Sequence, residues 1–145
     1  MDKHLSSQFD AELSGISTRV LEMGGLVEAQ VAQAVQALTL FSTDIATQVI
    51  RIEERVNQME MEIDRDLSSI IARRQPTARD LRLLIAISKT IGNLERVGDE
   101  AARIASTVQG TRRDDGRFDV VSEVGGMKST RIIDWPRGAL LAEGL

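Results

Sequence analysis

Residues 73–99 read RRQPTARDLRLLIAISKTIGNLERVGD. Pro76 stands between two long apolar rhythms, and a proline inside a helix loses a backbone donor and clashes with the preceding turn. The chain must therefore break here. Arg73 and Arg74 precede the break, where cations suit a helix C-terminus. Thr77 follows it as an N-cap, with Asp80 three residues on as a variant capping box. One helix ends and another starts within three residues, and so short a connection makes the two antiparallel neighbours.

Outward from this hairpin the apolar spacing stays helical. Downstream run Leu84, Ile87, Ile91, Leu94, Gly98, Ala101 and Ala105. Upstream run Ile45, Val49, Ile52, Val56, Met59, Ile63, Leu67 and Ile70. An earlier stripe takes Leu5, Phe9, Leu13, Ile16, Val20, Met23, Val27, Val31, Ala34, Leu38 and Phe41. Steps of three and four place each set on one helical face. Ser42, Thr43 and Asp44 separate the first two runs and offer N-cap oxygens. The pattern predicts an all-α fold, an antiparallel up-down-up three-helix bundle over residues 1–109. Gly24-Gly25 interrupts the first run at roughly 1 kcal/mol per glycine. Either the helix breaks there or a partner helix crosses closely. Gly98, Ala101 and Ala105 form a seam of small residues, read here as open to a second copy.

Glycine and charge divide the chain at the same place. Of eleven glycines, six fall in residues 110–145, and that segment carries as many acids as bases, while residues 1–109 carry the whole net charge of −4. The segment holds no helical period. Phe118, Val120, Ser122 and Val124 alternate weakly, which allows a weak hairpin. The expectation is a Gly-rich, mostly irregular tail.

Composition excludes several functions. Without cysteine there is no disulfide framework, thiolate zinc site or thiol nucleophile. MDKHLSSQFDAE has no apolar core of a secretory leader. The longest uncharged stretch, Ala29 to Thr43, is 15 residues with three glutamines, short of the roughly 20 apolar residues that insert into a membrane. An acidic body is poorly suited to nucleic-acid phosphates. These features predict a cytoplasmic protein.

Chemistry concentrates in carboxylates. Glu60 and Asp64, like Glu95 and Asp99, are spaced E-x-x-x-D, one turn apart on one face. Like charges at this spacing repel, and a hard cation such as magnesium, manganese or iron would neutralise them. Glu62 and Asp66 repeat the spacing, and Arg65 and Arg96 offer neutralisation without metal. Spacing alone therefore favours a solvated acidic face. Arg73, Arg74, Arg79 and Arg82 gather at the hairpin, either as caps and solvation or as a docking corner for an acidic partner. Di-iron carboxylate bundles need Glu-x-x-His pairs, yet His4 is the single histidine. Phosphate-loop, dinucleotide and nucleophile-elbow motifs are missing too. The chain is expected not to be an enzyme.

QFDAEL, LEMGGLVEAQ, VNQMEMEID, RRQPTARDLRLL and ISKTIGNLERVGD together resemble the PhoU family, accessory regulators of high-affinity phosphate transport. The resemblance spans about His4 to Val108. It implies an all-α fold of two tandem three-helix bundles, and an unbroken first helix through Gly24-Gly25. It also implies metal clusters held by E(D)-x-x-x-D motifs, here Glu60, Asp64, Glu95 and Asp99. Its function would be that of a non-enzymatic cytoplasmic adaptor, often dimeric. That adaptor links the importer's ATPase subunit to the phosphate-sensing histidine kinase and represses the starvation response. Arg74, Arg79 and Arg82 are the candidate partner contacts. The residues after Gly110 do not repeat the ID…RQP…LERVGD pattern, which puts signalling that needs both bundles in question. Two other readings stand beside this one: a coiled-coil oligomerisation module without metal or signalling, and a metal-buffering protein.

Overall fold

The computed structural model describes residues 2–111, 118–124, 126–134 and 139–144. Three helices form, α1 (Asp2–Leu40), α2 (Thr43–Arg74) and α3 (Ala78–Thr111). They are the three expected from the apolar rhythms. α3 runs two residues past the expected boundary at 109. No helix among the described residues is long and apolar enough to cross a membrane. The side chains of His4 and Leu5, and Trp135 altogether, lie outside the described residues.

The helix ends use local chemistry. Phe41 adopts φ 48° and the Ser42 amide donates back to the Ala37 carbonyl at 3.0 Å, which caps α1 as a Schellman turn. Ser42 Oγ then accepts from the Ile45 amide at 3.3 Å at the start of α2. At the second hairpin Gln75 also turns left-handed, at φ 43°. Thr77 Oγ1 accepts from the Asp80 amide at 3.4 Å and donates to Asp80 Oδ2 at 3.0 Å, completing the expected cap. Gly24 and Gly25 lie inside an unbroken α1, and neither faces any atom within 4 Å of where a Cβ would sit. No close crossing explains them.

Packing falls into two units, one comprising residues through Val31 with Ile52–Glu100, the other Ala32–Arg51 with residues from Ala101 onward. The first is built on large side chains. Ile16, Met23 and Val27 of α1, Val56, Met59, Ile63, Leu67 and Ile70 of α2, and Leu84 and Ile91 of α3 form its core. Arg19 pairs with Asp66, and Glu12 takes Arg73 and Arg74, joining α1 to α2 at the surface. The second unit packs mostly small residues, with Ala34, Ala37, Ala46, Val49, Ala101, Ala105 and Val108 buried. Ala101 and Ala105 are thus covered by their own chain, and the seam is not open to a second copy as expected.

The α1 stripe departs from its reading at two points. Val31 and Leu38 are exposed, while Gln30 and Ala37 occupy the buried positions. A helix turns 100° per residue, so a stripe read in steps of four drifts off the core unless a step of three corrects it. Similarly, α2 buries Glu53 beside Ile52, the residue that the apolar rhythm places inward.

The segment after α3 is not irregular. It forms an antiparallel meander, β1 (Phe118–Val124), β2 (Met127–Asp134) and β3 (Ala139–Gly144), in the order β1-β2-β3. Val124 pairs with Met127, and Gly126 sits at φ 81° in the turn. A two-residue hairpin requires such backbone angles, which glycine adopts without strain. The register of β2 on β3 shifts between Ile132 and Ile133, a bulge that disrupts simple alternation at that pairing, while β1 pairs with β2 without interruption.

Candidate metal centre

The candidate site lies within the first unit, where α1, α2 and α3 each contribute one turn. Glu53 of α2 occupies a core position, four residues after Val49 and three before Val56, and only 8% of it is exposed. Opposite it, the fully buried Gln30 of α1 donates from Nε2 to Glu53 Oε2 at 2.7 Å. α3 passes both side chains with Gly98. A Cβ there would lie 2.7 Å from Gln30 Oε1 and 2.8 Å from Glu53 Oε2. Gly98 therefore leaves the space that the two head groups fill.

Glu95 and Asp99, one turn apart on α3, meet Glu53 here. One carboxylate oxygen from each of the three lies within 4.8 Å of the others. Glu60 stands two turns beyond Glu53 on α2, close enough for Asp99 to act on its charge. Asp64 acts on Glu60 but is exposed on the next turn. Of the four residues singled out by spacing, Glu95 and Asp99 thus converge, Glu60 flanks them, and Asp64 stands apart. Glu53 completes the group in its place.

Glu53 escapes a reading of spacing because it sits on the apolar stripe, where a charged residue is rare. Two signals mark it. It precedes Glu60 by seven residues on the same helical face, and the helix opposite carries a glycine in the middle of LERVGD.

The electrostatics are those of a self-repelling group. Burial, and then Asp99 beside it, raise the Glu53 carboxyl above its ordinary range. Burial followed by the charges of Asp64 and Asp99 does the same to Glu60. Glu95 is pushed up to about 7 by burial and by Asp99. Such a set holds its charge together only with shared protons or a cation. Glu53 Oε1 is buried and takes no hydrogen bond. Clustered carboxylate oxygens of this kind fit a hard divalent or trivalent cation, so the donor set suits the metals the resemblance implies.

The PhoU domain family model matches residues 20–108, more than half of the chain, a span that includes Glu53, Glu60, Glu95 and Asp99. The chain belongs to the PhoU family. It is 56% identical over 109 residues to the PhoU homolog of a Burkholderia species, covering 75% of this chain and 46% of that protein. It is 50% identical over 107 residues to PhoU of Escherichia coli strain K12, covering 74% and 44%. Both relatives are described as phosphate-specific transport system accessory proteins. The crystal structure of PhoU from Pseudomonas aeruginosa superposes with a TM-score of 0.68 at 50% identity, covering 69% of this chain and 48% of that one. The chain therefore spans about half the length of these PhoU proteins.

The arginine corner is partly spent on the PhoU fold itself. Arg74 donates to Glu12 Oε1 at 3.0 Å and to Gln8 Oε1 at 3.2 Å, and Arg73 bonds Glu12 and Ser69. Arg79 and Arg82 are exposed in the first two turns of α3. A cleft of about 360 Å³ opens beside them, lined by Phe9, Arg73, Arg74, Gln75, Pro76, Thr77 and Asp80.

Proposed function

We propose that this chain is a non-enzymatic cytoplasmic adaptor of phosphate uptake, which couples the phosphate importer to the phosphate-sensing histidine kinase and represses the starvation response. The observation that supports this is the 50–56% identity over 107–109 residues to phosphate-specific transport accessory proteins, together with the family match over residues 20–108. Adaptor work needs surfaces rather than a reaction centre. Arg79 and Arg82, with the exposed part of Arg73, give a cationic corner that an acidic partner segment would meet. The test is a pull-down of the kinase and of the importer's ATPase subunit from phosphate-replete cells. Retention by the wild type and loss with Arg79→Ala/Arg82→Ala support the reading; retention of neither partner overturns it.

Glu53, Glu95 and Asp99, with Glu60 beside them, would hold a magnesium, manganese or iron ion. A bound cation would supply the charge that lets these carboxylates ionise together. The convergence of three carboxylate oxygens within 4.8 Å supports this part of the reading. Metal content of protein purified without chelator, compared with Glu95→Ala/Asp99→Ala, tests it. Equal content in both proteins would remove the site.

A further inference from the structure

We propose that Gln30 and Gly98 are positioning residues that hold Glu53 in the cation site, a role that rests on the metal reading above. Val49 and Val56, one turn before and after Glu53, are fully buried, so the carboxylate enters a position that packing would fill with an apolar side chain. Left to itself a carboxylate there would seek water or take up a proton. Gln30 gives it a donor at 2.7 Å. The choice of donor matters. An arginine or lysine would orient Glu53 but also cancel its charge, and so compete with a cation. An amide orients the carboxylate and leaves its charge available. The bond engages Oε2, and Oε1 is left without a hydrogen bond, the oxygen suited to take up a metal ion.

Gly98 does the same work by subtraction. A Cβ at this position would come within 2.7 Å and 2.8 Å of the Gln30 and Glu53 oxygens. These distances are shorter than carbon and oxygen tolerate without a bond, so both side-chain ends would have to shift from the positions that bring them together. The glycine also sits between Glu95 and Asp99 on the helix that brings the other two carboxylates. Space for the third is thus cut into the same turn. Gly15, Gly24, Gly25 and Gly92 have nothing within 4 Å of a Cβ, so the close approach belongs to this site and is not a general habit of the helical glycines.

The test is manganese titration of the full chain, stripped with chelator, followed by calorimetry and by the manganese electron-paramagnetic signal. Gly98→Ala and Gln30→Met are compared with wild type, and Gly24→Ala serves as a glycine control. Groups that orient a metal ligand are worth about 10–100-fold in affinity, so each of the first two variants should weaken binding about 10-fold or more, with Gly24→Ala unchanged. Far-UV circular dichroism in chelator checks that each variant is folded. Gln30→Met keeps the length of the side chain and removes the amide head group without adding a Cβ to α3, so it decides the matter if Gly98→Ala does not fold. Wild type and Gln30→Met binding manganese alike would overturn the positioning role while leaving the site intact. A wild type that binds no manganese would overturn the metal reading itself, and this inference with it.

Discussion

Arg74 Nη2 donates to Glu12 Oε1 at 3.0 Å and ties the last turn of α2 to α1. Arg73 reaches the same oxygen at 3.3 Å. The hydrogen bond from Arg74, opposed by partial burial and assisted by the charge of Arg73, holds the Glu12 carboxyl below its ordinary range. A carboxylate lowered in the folded state stabilises the fold above the unfolded value of 4.5. That contribution disappears as pH falls through the folded value. Glu12→Gln should cost about 1 kcal/mol at neutral pH, given the partial exposure of the pair. The difference from wild type should close as the pH drops well below 4.5. Urea unfolding at both pH values measures it.

The carboxylate cluster should show the opposite dependence. Glu95 titrates at about 7 in the folded chain, against 4.5 for the same side chain free in water. Between these values the folded state binds more protons than the unfolded one, so stability falls as pH rises. Metal-free protein should lose about 1 kcal/mol from about pH 5 to about pH 8, the screened share for a partly exposed group. Glu95→Gln should flatten that slope, and so should added manganese. Thermal melts in chelator across this range provide the check; an identical slope in wild type and Glu95→Gln would disprove it.

Gly24 and Gly25 lie in a continuous helix with open space at each Cβ position. Alanine at either site should therefore stabilise the fold by about 0.5–1 kcal/mol, because it loses less freedom on folding. Chemical denaturation of the two single variants reads this directly. The same substitution at Gly98 should act in the other direction, since its space is taken.

Ile63 is fully buried in the core of the first unit, whereas Leu21 is 77% exposed. Ile63→Ala should cost about 2–5 kcal/mol. Leu21→Ala should change stability by no more than about 0.5 kcal/mol. Both can be read from denaturant midpoints.

The hairpin at Pro76 and the cap at Ser42 were legible because their chemistry is local: a missing donor, a hydroxyl, a carboxylate three residues on. The stripes on α2 and α3 were legible because large apolar residues recur at helical spacing. Most of the carboxylate group was legible for the same reason, since Glu60, Glu95 and Asp99 fall in pairs spaced one helical turn apart. Glu53 and Gln30 were not, because a buried polar pair is defined by what another helix places opposite it. Val31 and Leu38 misled for a related reason: the core selects by angle, and a smaller Ala37 facing inward displaces a larger Leu38 facing out. Of the meander from Phe118 to Gly144, the alternation in β1 was legible as a weak hairpin, whereas the shift between Ile132 and Ile133 breaks the same signal where β2 pairs with β3.

Gln75, at the end of α2, holds a left-handed backbone that costs an L-residue roughly 1 kcal/mol or more. Phe41 does so too, but its ring packs against the small-residue core, which compensates it. Gln75 is exposed. The second hairpin is therefore wound against a spring that nothing in its own side chain holds, and an asparagine or glycine there would let the coil relax. A sturdier scaffold is one substitution away from this sequence, at a corner far from the carboxylates in the chain and beside the arginines that would meet a partner.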